Sequence, residues 1–272
     1  MRPSYGLCAF WLLLAGAAAS VVHYNISTVY WDWEFKKNKW AFIDKVAVER
    51  GRNSLITNIF YSLYGGGAPP MHSAPGAAPF KIHKLLDVGC GEAVLSDFLT
   101  GPQKPHYHGI DISVEAIKNA RKRRASNFDP ANPTSLNPEN LQVAGALEFM
   151  PPAGTTFGAI VFNEMLYYTD YTQVLQHYIP FLEPPSGATP QGGPAAGQEG
   201  GVAGGHGGVI IISCWYTMTN AAMKDGIFKE ANRLLESIDS MELSGYSVEL
   251  KAKKGTAQRK VWFHIEALRV RR

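Results

Sequence analysis

Asp87, Gly89 and Gly91 stand in the run Leu85-Leu86-Asp87-Val88-Gly89-Cys90-Gly91-Glu92-Ala93-Val94-Leu95. Their types and spacing suit a nucleotide-like ligand that carries positive charge. An apolar segment ends in Asp-x-Gly-x-Gly and leads into a helical pattern. Neither glycine has a Cβ, so the backbone can approach a ligand closely. The N–H groups of the turn, and the N-terminus of the helix expected after it, suit a polar or anionic group. The Asp87 carboxylate sets the sign: it repels a pyrophosphate and attracts a cation. The dinucleotide fingerprint is G-x-G-x-x-G/A. Here Val94 fills its sixth position and Asp87 precedes the first glycine by two residues, which disfavours NAD or FAD.

Polar residues recur at the ends of the later apolar runs. Asp111, followed by Ile112, closes a short strand about 20 residues past the turn, where an acidic residue of a doubly wound fold bonds ribose hydroxyls. Phe157 to Tyr168 reads as a buried strand that ends in Asn163, Glu164, Tyr167 and Tyr168, the end at which open α/β sheets bind ligands.

On these motifs the chain resembles the class I S-adenosylmethionine-dependent methyltransferases, whose first motif is Asp/Glu-x-Gly-x-Gly. The resemblance covers about Lys81 to Arg272. It implies S-adenosyl-L-methionine as cofactor, with a positive α-amino group and sulfonium, near Asp87, Gly89, Cys90 and Gly91. It puts the ribose at Asp111 and Ile112, the adenine along Ala146 and Leu147, and the methyl donor near Asn163 and Glu164. Glu164, Tyr167, Tyr168 and Asp170 are candidates for orienting or deprotonating an acceptor, and Trp215 and Tyr216 for walling its pocket. In small-molecule members of the family N-terminal helices form a lid. Tyr30, Trp31 and Trp33 are the candidates for its lining, since aromatic faces attract cations.

The elements that must position these groups follow from periodicity. The fold class is α/β: a Rossmann-like, doubly wound, mostly parallel seven-stranded sheet with a C-terminal antiparallel hairpin and an N-terminal helical lid. Ser113 is the expected N-cap of a helix through Val114, Ile117 and Ala120, and Asp170 of one through Val174, Leu175 and Tyr178, ended by Pro180. Strand five is Val209 to Trp215. A helix is expected from Ala221 to Ser240, then a hairpin of Tyr246 to Ala252 and Lys260 to Val270. The tract 185–206, rich in Gly, Ala, Pro and Gln, has too little apolar surface to offset the entropy of ordering and is expected to be a disordered surface insertion.

At 272 residues the chain suits one α/β core, 81–272, behind a lid, 23–64, and a Gly/Pro-rich linker, 65–80. A net charge of +3 is too small to argue for nucleic acid, and the base-methylase signature Asn/Asp-Pro-Pro-Tyr/Phe is absent after the fourth strand. Arg121 to Arg124 reads as a solvated helix end. Residues 1–22, with Arg2 before the apolar stretch Leu7 to Ala19 and the small residues Ala17 to Ser20, read as a secretory signal peptide or, uncleaved, as a membrane anchor. Asn25-Ile26-Ser27 is an N-glycosylation pattern. The expected location is therefore the secretory pathway. Cys90 and Cys214 are expected to be free neighbouring thiols, and no residues show metal-ligand spacing. The reading is methyl transfer to a small molecule or modified peptide, with an amine acceptor favoured, in a natural-product pathway, and the signal-like N-terminus and Gly-rich insertion suggest a fungal one. The alternatives are O-methylation of a small metabolite and a non-catalytic accessory protein.

Overall fold

Strand side chains alternate between the two faces of a sheet, and that alternation sorts this chain into three layers. The structure is a computed structural model that describes residues 28–40, 45–64, 82–126, 128–130, 132, 134–185, 207–216, 220–248 and 258–271. Seven strands form one sheet in the order β3-β2-β1-β4-β5-β7-β6. β1 (Leu85–Val88), β2 (Tyr107–Asp111), β3 (Leu141–Val143), β4 (Ala159–Asn163) and β5 (Val209–Tyr216) are parallel neighbours. β7 (Gln258–Val270) runs antiparallel to β5 and to the outer strand β6 (Leu235–Val248). The doubly wound sheet with a C-terminal hairpin is therefore as the sequence implies.

On one face Leu86, Val88, Ile160, Phe162, Ile210 and Ile212 pack against α4 (Tyr171–Tyr178) and α5 (Ala221–Leu234). On the other, Leu85, Ala159, Val161, Val209 and Ile211 pack against α2 (Ala47–Tyr64) and α3 (Val114–Ala125). The same alternation assigns the polar residues. Asp87, Asp111 and Asn163 stand at the C-terminal ends of adjacent strands, with Ser213 of β5 paired to Asn163, all in phase with the α2 side.

Four expectations about elements are corrected. The lid region holds two helices: α1 (Thr28–Lys36) ends in a turn with Asn38 at φ 54°, and α2 starts at Ala47. α2 is no loose lid, because Ile56, Ile59 and Phe60 are fully buried in the second core cluster. No α-helix follows the Gly turn. Ala93 takes φ 57°, and a five-residue 3-10 helix, Val94–Phe98, leads toward Gly101-Pro102. The helix after β5 stops at Leu234; Leu235 begins β6, where the extra residue Ile238 makes a bulge between Ser237 and Asp239. Finally, Arg121 to Arg124 is no solvated end. Arg121 donates to the Leu141 carbonyl, and Arg123 and Arg124 both pair with Asp97.

Ser113 and Asp170 cap α3 and α4 as expected, accepting from the N–H groups of Ala116 and Gln173. Pro180 ends α4 in a 3-10 turn. The two ends of the Gly-rich tract are joined: the Gly208 N–H donates to the Glu183 carbonyl at 2.7 Å. Residues 1–22, Asn25, the linker and 186–206 lie outside the described residues. Among the described residues no helix is long and apolar enough to cross a membrane.

Candidate active site

Asp87 is 1% exposed. Tyr107, one strand away, donates its hydroxyl to Oδ2 at 2.7 Å, while Oδ1 is buried without a hydrogen-bond partner. Burial pushes the Asp87 pKa up to about 7, although the Tyr107 bond opposes the shift. Asp111 differs in that both oxygens accept: Oδ2 from the Gly91 N–H and Oδ1 from the Ser113 N–H, each at 2.8 Å. Burial still raises its pKa to about 6.

The N–H groups of the turn are not free, which corrects the anion-cradle expectation. Gly89 and Cys90 both donate to the Ile110 carbonyl, and Gly91 to Asp111. The space beside the glycines is taken too. A Cβ on Gly89 (φ 76°) would lie 2.8 Å from Cβ of Met165, and one on Gly91 (φ 54°) 3.3 Å from the Phe35 ring. The turn therefore supplies shape, and the carboxylates supply the charge.

Glu164 is the most constrained residue at the site. It follows β4 in the left-handed region, φ 63°, which is costly for a side-chain-bearing residue and marks sites the surroundings over-determine. Its N–H donates to the Ser213 carbonyl at 3.0 Å. Its Oε1 accepts from the Ser213 hydroxyl at 2.9 Å and meets Arg52 at 3.2 Å. Its Oε2 accepts from the Trp215 N–H at 2.8 Å and from the Tyr167 hydroxyl. A carboxylate so engaged is not poised as a general base. Tyr167 and Tyr168 are no better suited, because burial, and after it the Glu164 charge, push both phenols up.

The residue that holds Glu164 was not singled out in the sequence. Arg52 of α2 is 3% exposed and bridges Glu49 at 2.9 Å and Glu164 at 3.2 Å, over the ring of Phe263. Burial opposes its charge, yet the two glutamates hold its pKa above the usual value. Its neighbour Asn53 accepts from Nδ2 of Asn163 at 3.1 Å. That leaves Nδ2 of Asn53, Oδ1 of Asn163 and Nε of Arg52 buried without partners. Exchanging the oxygen and nitrogen of both amides would still leave one donor and one acceptor open. The signal in the sequence was the polar stripe Glu49, Arg52 and Asn53, which shares one helix face with the apolar Ile56.

The remaining candidates divide. Ile112 and Leu147 are exposed, and Ala146 is half-buried against the first core cluster. Their loop starts beside Asp111, whose carbonyl accepts from the Ala144 N–H. On α1, Trp31 packs edge-on against Tyr168 with ring centroids 5.0 Å apart. Tyr30 touches Trp31 but is largely exposed. Trp33 faces outward under the Lys39 ammonium, 3.9 Å from its ring, so it does not line the site. Asp170 is committed as the α4 cap, both of its oxygens accepting from Gln173. Tyr216 is one residue out of phase: it lies on the α5 side, under Lys224, and donates to Glu242. Trp215 packs against the small Val46, Val48, Val261 and Phe263 cluster. Cys90 and Cys214 belong to opposite faces of the sheet and are both free, which corrects their expected proximity.

A methyltransferase-domain profile matches residues 33–188, more than half of the chain. No curated protein matches it significantly in sequence. Solved structures that align with it include magnesium protoporphyrin IX methyltransferase from Synechocystis PCC 6803 with bound S-adenosylmethionine. That pair has 13% identity and a TM-score of 0.48, over 94% of this chain and 100% of that one. The MccD protein aligns at 12% identity and a TM-score of 0.45, over 70% and 90%. The methyltransferase domain of a bacterial CtHen1 aligns at 13% and 0.44, over 81% and 100%. Their substrates are their own. By its sequence match, the chain belongs to the methyltransferase-domain family, an enzyme family that uses S-adenosyl-L-methionine.

Proposed function

We propose that this chain transfers the methyl group of S-adenosyl-L-methionine to a nitrogen of a small molecule or modified peptide, with Asp87, Asp111, Asn53, Arg52 and Asn163 holding the cofactor. The observation that carries this reading is the set of buried polar atoms without partners. Oδ1 of Asp87 and Oδ1 of Asn163 accept; Nδ2 of Asn53 and Nε of Arg52 donate. Two acceptors and two donors suit a zwitterion, the α-ammonium and carboxylate of an amino-acid group. An unpaired buried polar atom costs about 1–3 kcal/mol, so such a ligand recovers what the empty arrangement forgoes.

When bound, the cofactor would supply an electrophilic methyl on a sulfonium, open to displacement by an acceptor nitrogen with the sulfide as leaving group. The protein's part is orientation. Asp111 presents two backbone-anchored oxygens with lone pairs left for ribose hydroxyls. Glu164, clamped by Arg52, Ser213 and Tyr167, fixes the ring of Tyr167 and through it Tyr168, at 4.6 Å between centroids. These rings and Trp31 make an aromatic wall. Alignment in near contact supplies most of the acceleration for such a displacement. An amine attacks in its neutral form and sheds its proton afterwards, so this account needs no general base. The acidic and aromatic lining favours nitrogen over a hydroxyl, which would need deprotonation by a base the site does not offer. Assaying the full-length chain with labelled S-adenosylmethionine against matched amine and alcohol acceptors tests it: label in amines alone supports the reading, and label in alcohols alone refutes it.

A further inference from the structure

The inward face of α1 is Trp31, Glu34 and Phe35, at helical spacings of three and four residues. Its two ends are fixed. Phe35 lies over Gly91, and Trp31 packs on Tyr168. Glu34, between them, is 5% exposed although it carries a carboxylate. α1 itself is pinned from the side: Oδ1 of Asp32 accepts from the Ser113 hydroxyl at 2.6 Å and from the Glu115 N–H at 3.2 Å. Glu34 is thus held over the region between the glycine turn and the tyrosine wall.

Its present partner is a cation from the same chain. Nζ of Lys39 meets Oε1 of Glu34 at 2.5 Å and also sits 3.9 Å from the centre of the Trp33 ring. Lys39 reaches it from the turn after α1, in which Asn38 takes the left-handed conformation at φ 54°. A carboxylate so deeply buried requires a cation, and here the cation rides on a turn rather than on a packed element. The lysine side chain is itself 35% exposed.

We propose that Glu34 is the acceptor-recognition carboxylate of this enzyme, that it takes a cationic nitrogen of the acceptor other than the neutral nitrogen that is methylated, and that Lys39 is a resident counter-ion the acceptor displaces. This rests on the amine reading given above. The aromatic neighbours suit the rest of such a ligand: the Tyr30 hydroxyl bonds Glu34, Tyr168 lies near its charge, and Trp31 packs against both tyrosines; aromatic faces attract ammonium groups. Lys39 keeps Glu34 paired while no acceptor is present, at the cost of competing with every acceptor that arrives. It therefore sets specificity: a neutral isostere leaves Lys39 in place and gains nothing from Glu34.

The test is calorimetric titration of the full-length chain, saturated with S-adenosylhomocysteine, with phenethylammonium and with its neutral analogue 2-phenylethanol. Wild type, Lys39→Met and Glu34→Gln are compared. Lys39→Met is expected to tighten phenethylammonium at least tenfold and leave 2-phenylethanol unchanged, and Glu34→Gln to weaken phenethylammonium at least tenfold. Equal affinity for phenethylammonium in wild type and Lys39→Met, or an equal gain for 2-phenylethanol, overturns the proposal. Uptake of S-adenosylhomocysteine is the separate control. Its failure in wild type refutes the cofactor reading, and its persistence in both variants shows that they are folded with the cofactor site intact.

Discussion

Arg52, in the second turn of α2, and Glu164, just past β4, are joined by a largely buried ion pair, 3.2 Å between Nη1 and Oε1. The helix and the strand end it clamps are more than a hundred residues apart, so the tie sets the position of the whole wall that follows β4. Removing one partner of a buried pair leaves the other charge uncompensated. Arg52→Leu strands both Glu49 and Glu164, and is expected to cost about 3–5 kcal/mol, read as a drop in the denaturant midpoint. Replacing Glu164 by Gln keeps the shape and much of the hydrogen bonding, so it should cost less stability than Arg52→Leu.

Asp87 is predicted to trade stability for binding. Its pKa in the folded chain is raised to about 7, so the protonated form is the better-tolerated one. That contribution is fully present below the unfolded carboxylate value and is lost as pH rises through about 7. Asp87→Asn retains an acceptor for Tyr107 and removes the charge. Ligand-free, it should be more stable than wild type by about 1–3 kcal/mol at pH 8, and it should lose S-adenosylhomocysteine binding. Because a cation holds Asp87 ionised, wild-type affinity should rise as pH passes upward through about 7, with proton release. Flat affinity across that interval would contradict the role given to Asp87.

Gly89→Ala faces two penalties at one atom. The residue must keep φ at 76°, and its new Cβ would stand 2.8 Å from Cβ of Met165. An expected loss of about 2–4 kcal/mol, measured by thermal unfolding, separates this site from Gly154. There φ is also 76°, but no atom lies within 4 Å of the added Cβ, and Gly154→Ala should lose only the backbone part.

Much of this was legible because strands alternate. Once the apolar runs are placed, Asp87, Asp111 and Asn163 fall at strand ends by counting in twos, and Tyr216 would have been excluded by the same count. The boundary between α5 and β6 was not legible: Leu234, Leu235 and Ile238 continue a helical stripe, and only pairing with β7 draws Leu235 into a strand. Glu34 and Arg52 were passed over because isolated charges in an amphipathic segment read as a solvated face. What buries them is tertiary, the packing of α1 on the glycine turn and of α2 on the sheet. The free N–H groups expected at the turn were missing for a related reason: β2 supplies their acceptors.

The tract 186–206 should be dispensable for folding. Its flanks are tied without it, by the bond from Gly208 to Glu183 and by Tyr64, whose hydroxyl donates to the Gly207 carbonyl at 3.1 Å. Replacing the tract with a short Gly-Ser linker is expected to move Tm by less than about 4 °C, which corresponds to about 1 kcal/mol in a chain of this size. A larger fall would show that the tract carries part of the core.

The central claim is that buried carboxylates at the ends of β1 and β2 hold the cofactor. Titrating the full-length chain with S-adenosylhomocysteine and with NAD, beside Asp87→Ala and Asp111→Ala, measures it most directly. The account predicts micromolar binding of S-adenosylhomocysteine by wild type, its loss in both variants, and no heat with NAD. Undiminished binding in folded Asp87→Ala and Asp111→Ala, or uptake of NAD in place of S-adenosylhomocysteine, would contradict it.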